Sequence, residues 1–96
     1  MGARRTRYVV SYDIVLDRRR NKVAQALTGH GERVQYSVFE CLLTNSQFER
    51  LWAELKELIV PEEDSLRAYR LCPPCAAWAR RVGQAPTVEV PEVYIV

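Results

Sequence analysis

The sequence predicts an α+β fold: a ferredoxin-like βαββαβ sandwich with an additional C-terminal strand, dimeric. Three observations carry this expectation. Apolar patterning switches between strand-like and helical segments in the order strand, helix, long strand region, helix, strand, tail strand. Right-handed crossovers and neighbour pairing turn that order into one antiparallel sheet with both helices on the same face. The strands are apolar enough that the other face needs cover, which a second copy of the chain would supply. Ninety-six residues leave room for one core. The expected domain spans 1–83, and 84–96 forms a strand segment pairing with the partner subunit.

Residues 8–15 (YVVSYDIV) are β-branched and aromatic, the composition of a buried strand, with Asp13 interrupting near the C-terminal end. Asp17 stands where an N-cap would. Arg20, Val23, Ala24 and Leu27 then fall at helical spacing until Gly29-His30-Gly31 stops the helix. Residues 33–43 (RVQYSVFECLL) are strand-like but long, so either a kink or a tight reversal near Gln35-Tyr36-Ser37 divides them. Thr44 and Gln47 have the spacing of a capping box, and Leu43 and Phe48 that of a hydrophobic staple. Phe48, Leu51, Trp52, Leu55, Leu58 and Ile59 continue as one apolar helical stripe. Pro61 and the acidic Glu62-Glu63-Asp64 turn, a solvated loop by composition, end this helix. Residues 65–71 (SLRAYRL) form the next strand. Pro73-Pro74 breaks it, and 76–82 have room for a helical turn or two. Residues 87–96 alternate as a strand that Pro91 confines to an edge or a bulge.

Composition narrows the function classes. No apolar run reaches the ~20 residues that cross a bilayer, and no apolar segment follows the N-terminal arginines as in a secretory signal, so a cytoplasmic location and no membrane partner are expected. Three cysteines do not suggest a disulfide framework. Net charge is only +2, but its distribution is uneven. Residues 1–33 hold eight basic and three acidic side chains, leaving that part at +5 and the remainder at −3. One face is therefore suited to a polyanion, the plainer alternative being a solvated arginine-rich surface.

Asp13 is the residue most in need of explanation, because a carboxylate at the end of an apolar strand is costly to bury alone. A metal ion, an arginine, or exposure would each resolve that cost. A divalent-ion site for phosphodiester hydrolysis takes two or more oxygen ligands, and one chain offers no compact carboxylate cluster around Asp13. A twofold dimer juxtaposing two Asp13 side chains would supply the second. Arg18, Arg19, Arg20 and Lys22 surround the start of the first helix, where backbone N–H groups and guanidinium forks favour phosphate. The alternative there is a polar helix face with Asp17 paired locally. Phe39 alone reads as core. Cys72-Pro-Pro-Cys75 is a single CxxC. Zinc would need Cys41 and His30 to complete four ligands, and a redox motif would open a helix after a strand. Ordinary partly buried thiols are the expectation, and His30 is expected as a turn residue.

Taken together, YVVSYDI, the arginine-flanked helix, RVQYSVFEC and DSLRAYRLC resemble the CRISPR-associated Cas-two (Cas2) endoribonuclease family, the small partners of the Cas-one integrase in spacer acquisition. The resemblance runs from about residue 7 to residue 83. It implies a ferredoxin-like homodimer whose C-terminal strand joins the neighbouring subunit's sheet. It makes Asp13 the catalytic and Mg²⁺-binding aspartate, facing its symmetry mate, with Tyr12 the aromatic residue beside it. Arg20 matches the family's helix arginine, and Lys22 a second basic position where some members carry arginine; a lysine there cannot make the bidentate phosphate contact. Arg33 and Phe39 match an arginine and a phenylalanine of the second strand region. The implied partners are the Cas-one integrase and nucleic acid, either single-stranded RNA or double-stranded DNA, with a metal-dependent endonuclease activity. The competing expectations are a non-catalytic architectural scaffold, an RNA-binding or regulatory domain outside CRISPR systems, and an mRNA interferase-like toxin, the last by analogy of fold alone.

Overall fold

The computed structural model describes residues 4–83. The strands are β1 (Arg5–Asp13), β2 (Gly31–Gln35), β3 (Val38–Thr44) and β4 (Ser65–Leu71); the helices are α1 (Asp17–Thr28), α2 (Asn45–Leu58) and α3 (Pro73–Trp78). The sheet order is β2-β3-β1-β4 with every neighbouring pair antiparallel, the ferredoxin-like arrangement the element order predicts. The expected tail strand in 84–96 lies outside the described residues.

Strand alternation divides the sheet into two unlike faces. Tyr8, Val10 and Tyr12 of β1 and Phe39, Cys41 and Leu43 of β3 point to one side, where Val23 and Leu27 of α1 and Leu51 and Leu55 of α2 close the core over them. Tyr8 stacks on Phe48 at 4.1 Å between ring centroids, and Phe48 on Trp52 at 5.7 Å, so the α2 stripe seats on β1 through aromatic rings. The other face presents Val9, Ser11 and Asp13 of β1, Val38, Glu40 and Leu42 of β3, and Arg67 and Tyr69 of β4. Arg7, on that same face, is buried and pairs with Glu40 at 3.5 Å.

Several local expectations resolve physically. The long strand region is a tight reversal: Tyr36 and Ser37 form the turn, and a register irregularity between Arg33 and Gln35 accompanies it. Gly31 opens β2 because the sheet passes it closely. A Cβ there would lie 2.3 Å from the Glu40 carbonyl oxygen and 2.6 Å from the Cys41 Sγ. The Thr44–Gln47 capping box is present, with the Gln47 N–H donating to Thr44 Oγ1 (3.1 Å) and the Thr44 N–H to Gln47 Oε1 (2.8 Å). Asp17, by contrast, is not the N-cap. Leu16 takes that position in extended conformation, and Asp17 is the first helical residue, its carboxylate paired with Arg20. α3 begins at Pro73 rather than at residue 76, since a proline in a first helical turn needs no N–H and has φ already set.

The Glu62-Glu63-Asp64 turn is not simply a solvated loop. The Asp64 side chain is fully buried against Arg19. It accepts from Arg19 Nε (2.8 Å) and Nη2 (3.2 Å), from the Val15 N–H (3.0 Å) and from the Val60 N–H (2.9 Å). Arg19 Nη2 also reaches Glu63 at 2.8 Å. The Arg19 hydrogen bonds, with those from Val60 and Val15, hold the Asp64 carboxyl down at about 2 against burial, which acts the other way. This bracket ties the β1–α1 connection to the α2–β4 connection.

Asp64 is charged in the folded protein at pH values where the unfolded chain already binds a proton, so its contribution is complete above pH ~4 and disappears as pH falls toward 2. Asp64→Asn should lower the melting temperature at pH 7, and its deficit relative to wild type should shrink across that acid window in thermal melts. Gly31→Ala should cost about 1–3 kcal/mol through overpacking between β2 and β3, and Thr44→Ala about 1 kcal/mol through loss of the cap, both read by urea unfolding.

Candidate metal and nucleic-acid site

Asp13 closes β1. It is exposed, pairs in register with Ser65 of β4, and shares the face opposite α1 and α2 with Ser11 and Val9. The three residues after it are held from two directions. Arg20 donates from Nε and Nη2 to the Ile14 carbonyl (3.2 and 2.9 Å) and from Nη2 to the Val15 carbonyl (3.3 Å), while Asp64 takes the Val15 N–H. Ile14 turns inward and is buried, and Val15 and Leu16 stay exposed. A carboxylate following an anchored strand and preceding a bracketed loop is presented to solvent from a rigid base.

The other predicted positions divide by role. The Arg19 guanidinium is committed to Asp64 and Glu63, and that of Arg20 to Asp17 and the loop carbonyls. Hydrogen bonding to these acidic partners raises both guanidinium pKa values, the Asp64 bond first for Arg19 and the Asp17 bond first for Arg20. These two arginines build the loop beside Asp13. Arg18 and Lys22 lie exposed on α1. Arg33, exposed on β2, sits over the Phe39 ring at 5.3 Å. Tyr12 and Phe39 come together at 6.4 Å, but on the core side, and the Tyr12 hydroxyl donates to the Tyr36 carbonyl at 3.5 Å. They brace the hairpin turn against the end of β1 and offer no ring to a base.

Two residues of this region were not anticipated. Asp64 is indistinguishable in the sequence from its acidic neighbours, and only the fold shows which of the three turns inward. Arg67 faces Ser11 across β1–β4, two rungs from Asp13 on the same face; alternation along SLRAYRL would have placed it there once the register was known. Among the described residues no three His, Cys, Asp or Glu side chains converge on a common point. One chain thus contributes a single hard oxygen donor at Asp13, less than a divalent-ion site requires. Two chains facing each other would contribute two.

Comparison with known proteins gives a consistent result. The family model for "CRISPR associated protein Cas2" matches residues 6–78. A "CRISPR-associated endoribonuclease Cas2 3" from Synechocystis sp. is 46% identical over 89 residues, covering 93% of this chain and 97% of that protein. A crystal structure of a hypothetical protein from Thermus thermophilus superposes with a TM-score of 0.78 at 38% identity, covering 88% of this chain and 99% of that one. A chain from a structure described as a partial Cas6-RT-Cas1–Cas2 complex superposes with a TM-score of 0.72 at 26% identity, covering 88% and 99%. With the family model matched over residues 6–78 and a relative 46% identical over nearly the full length of both proteins, this chain belongs to the CRISPR-associated Cas2 family.

Proposed function

We propose that this protein is a CRISPR adaptation protein. It forms a homodimer, binds nucleic acid, bridges the Cas-one integrase, and cleaves phosphodiester bonds in single-stranded RNA or double-stranded DNA at a Mg²⁺ site shared by two Asp13 carboxylates. The observation that carries the reading is the exposed Asp13 at the end of β1, on a sheet face that α1 and α2 leave open and in front of a loop bracketed by Arg20 and Asp64. Support for the integrase partner comes from the likeness to a chain in a Cas1–Cas2 complex. Support for cleavage comes from the relatives described as endoribonucleases.

In this reading each residue has a defined task. Asp13 of each subunit donates an oxygen, and the bracketed loop keeps the two carboxylates from drifting apart. Bound Mg²⁺ would offset charge developing on the phosphoryl group. Arg18 and Lys22, exposed on α1, and Arg33 on β2 contact phosphates without reading bases. Arg19 and Arg20 act indirectly, by holding the loop. A second reading, a scaffold without catalysis, is favoured by the single carboxylate per chain and the absence of any three-ligand cluster among the described residues. It needs the basic residues and not Asp13.

Labelled single-stranded RNA and duplex DNA, incubated with the protein in Mg²⁺ and in excess chelator, separate the two readings. Cleavage that requires Mg²⁺ and falls at least about 100-fold in Asp13→Ala, with binding retained, is the expected outcome. Equal activity in wild type and variant removes the catalytic role and leaves the scaffold. In either case Arg18→Glu combined with Lys22→Glu should weaken duplex binding and reduce the slope of log affinity against log salt by about one to two, as two phosphate contacts are lost.

A further inference from the structure

One pair of reactive side chains has no part in that function. β4 ends at Leu71, and Cys72 follows as the N-cap of α3 in extended conformation (φ −69°, ψ 160°). Pro73 and Pro74 fill the first two helical positions and Cys75 the third. The two Sγ atoms stand 3.3 Å apart, and both residues are exposed. The expectation of partly buried thiols is therefore corrected: the motif opens a helix directly after a strand, in solvent. The remaining cysteine is its opposite. Cys41 is buried in the core, and burial pushes its thiol up to about 11.

The pair is asymmetric. The Sγ–Sγ contact couples the two thiols, lowering the Cys72 pKa and raising that of Cys75. Cys72, at the N-cap between the end of β4 and α3, is placed as the nucleophile, and Cys75, at the third helical position, as the resolving group. Arg4, Arg5 and Arg70 line the same cavity as Cys72, cationic groups that attract an anionic reagent. The two prolines fix φ between the cysteines, so little chain freedom is lost when the sulfurs join.

We propose that Cys72 and Cys75 form a redox-active dithiol site that reacts with anionic low-molecular-weight disulfides and closes reversibly into an intramolecular disulfide. The Cys72 thiolate attacks one sulfur of the small disulfide. A mixed disulfide forms, the external S–S bond breaks, and one thiolate leaves. Cys75, its proton passing to solvent, then attacks the Cys72 Sγ. The Cys72–Cys75 bond forms and the second external thiolate leaves. The protein loses two electrons, and one external disulfide is reduced to two thiols that take up the two protons released.

The test uses the full chain, reduced and then exposed to glutathione disulfide, with acid quench, alkylation and mass spectrometry. Wild type should lose two thiols together, with the bond mapped to Cys72 and Cys75 and with Cys41 alkylated only after denaturation. Cys75→Ser should accumulate a glutathione adduct at Cys72, and Cys72→Ser should react at least about tenfold more slowly. Cystamine, a cationic disulfide, should react more slowly than glutathione disulfide at low salt, the difference closing as salt rises. Wild type that keeps both thiols in buffer that oxidises dithiothreitol, or a Cys75→Ser variant that traps no adduct, overturns the site. Equal rates with the two disulfides overturn the assigned class of reagent.

Discussion

The carboxylate of Asp64 is where the two connections that flank β1 and β4 meet. A buried charge is tolerated only with partners that replace its hydration, and here Arg19, the Val15 N–H and the Val60 N–H all point at it. The bracket has a geometric consequence. Residues 14–16 cannot swing away from the sheet, so Asp13 is held at the strand end from both its N-terminal and its C-terminal side. Arg20 completes the arrangement by occupying the Ile14 and Val15 carbonyls. The candidate site therefore rests on salt bridges made within the chain behind Asp13.

The distinction between arginines that build and arginines that bind follows from this. Arg18, Arg19, Arg20 and Lys22 are neighbours in sequence but do not share a task. Helical rotation turns Arg19 toward the α2–β4 turn and Arg20 toward the end of β1, while Arg18 and Lys22 face solvent. A basic cluster read as one phosphate-binding unit is thus two structural clamps and two free-standing surface cations. The same two-sidedness governs the sheet. Its core face is filled by aromatic and aliphatic side chains from both long helices. Its other face mixes Val9, Val38 and Leu42 with Ser11, Asp13, Glu40 and Arg67, a composition suited to a partner rather than to bulk water alone.

The dithiol at the start of α3 is remote from that chemistry. β1 pairs Asp13 with Ser65 at one end and Arg7 with Leu71 at the other, and six rungs of a strand span roughly 20 Å. Cys72 thus belongs to the opposite end of the sheet from Asp13, with its own cationic surroundings in Arg4, Arg5 and Arg70. The candidate oxygen-donor site and the two thiols therefore lie at opposite ends of the sheet.

Sequence alone determined the elements whose cause is local. The α2 capping box, the apolar stripe beginning at Phe48, the strand at residues 65–71 and the position of Asp13 near the end of β1 all depend on side chains within one or two turns of each other. The sheet order followed as well, because chirality and short connections leave few alternatives for βαββαβ. Tertiary structure decided what depended on distant neighbours. Whether Tyr36-Ser37 was a kink or a reversal turned on the pairing of β2 with β3. That Asp64 rather than Glu62 or Glu63 is buried turned on Arg19 lying 45 residues away in sequence. That Leu16, not Asp17, occupies the N-cap position of α1 turned on where the bracketed loop releases the chain, and that Cys72 and Cys75 face solvent turned on where α3 leaves the sheet. A residue's type records its chemistry, but its partners across the fold select which part of that chemistry is used.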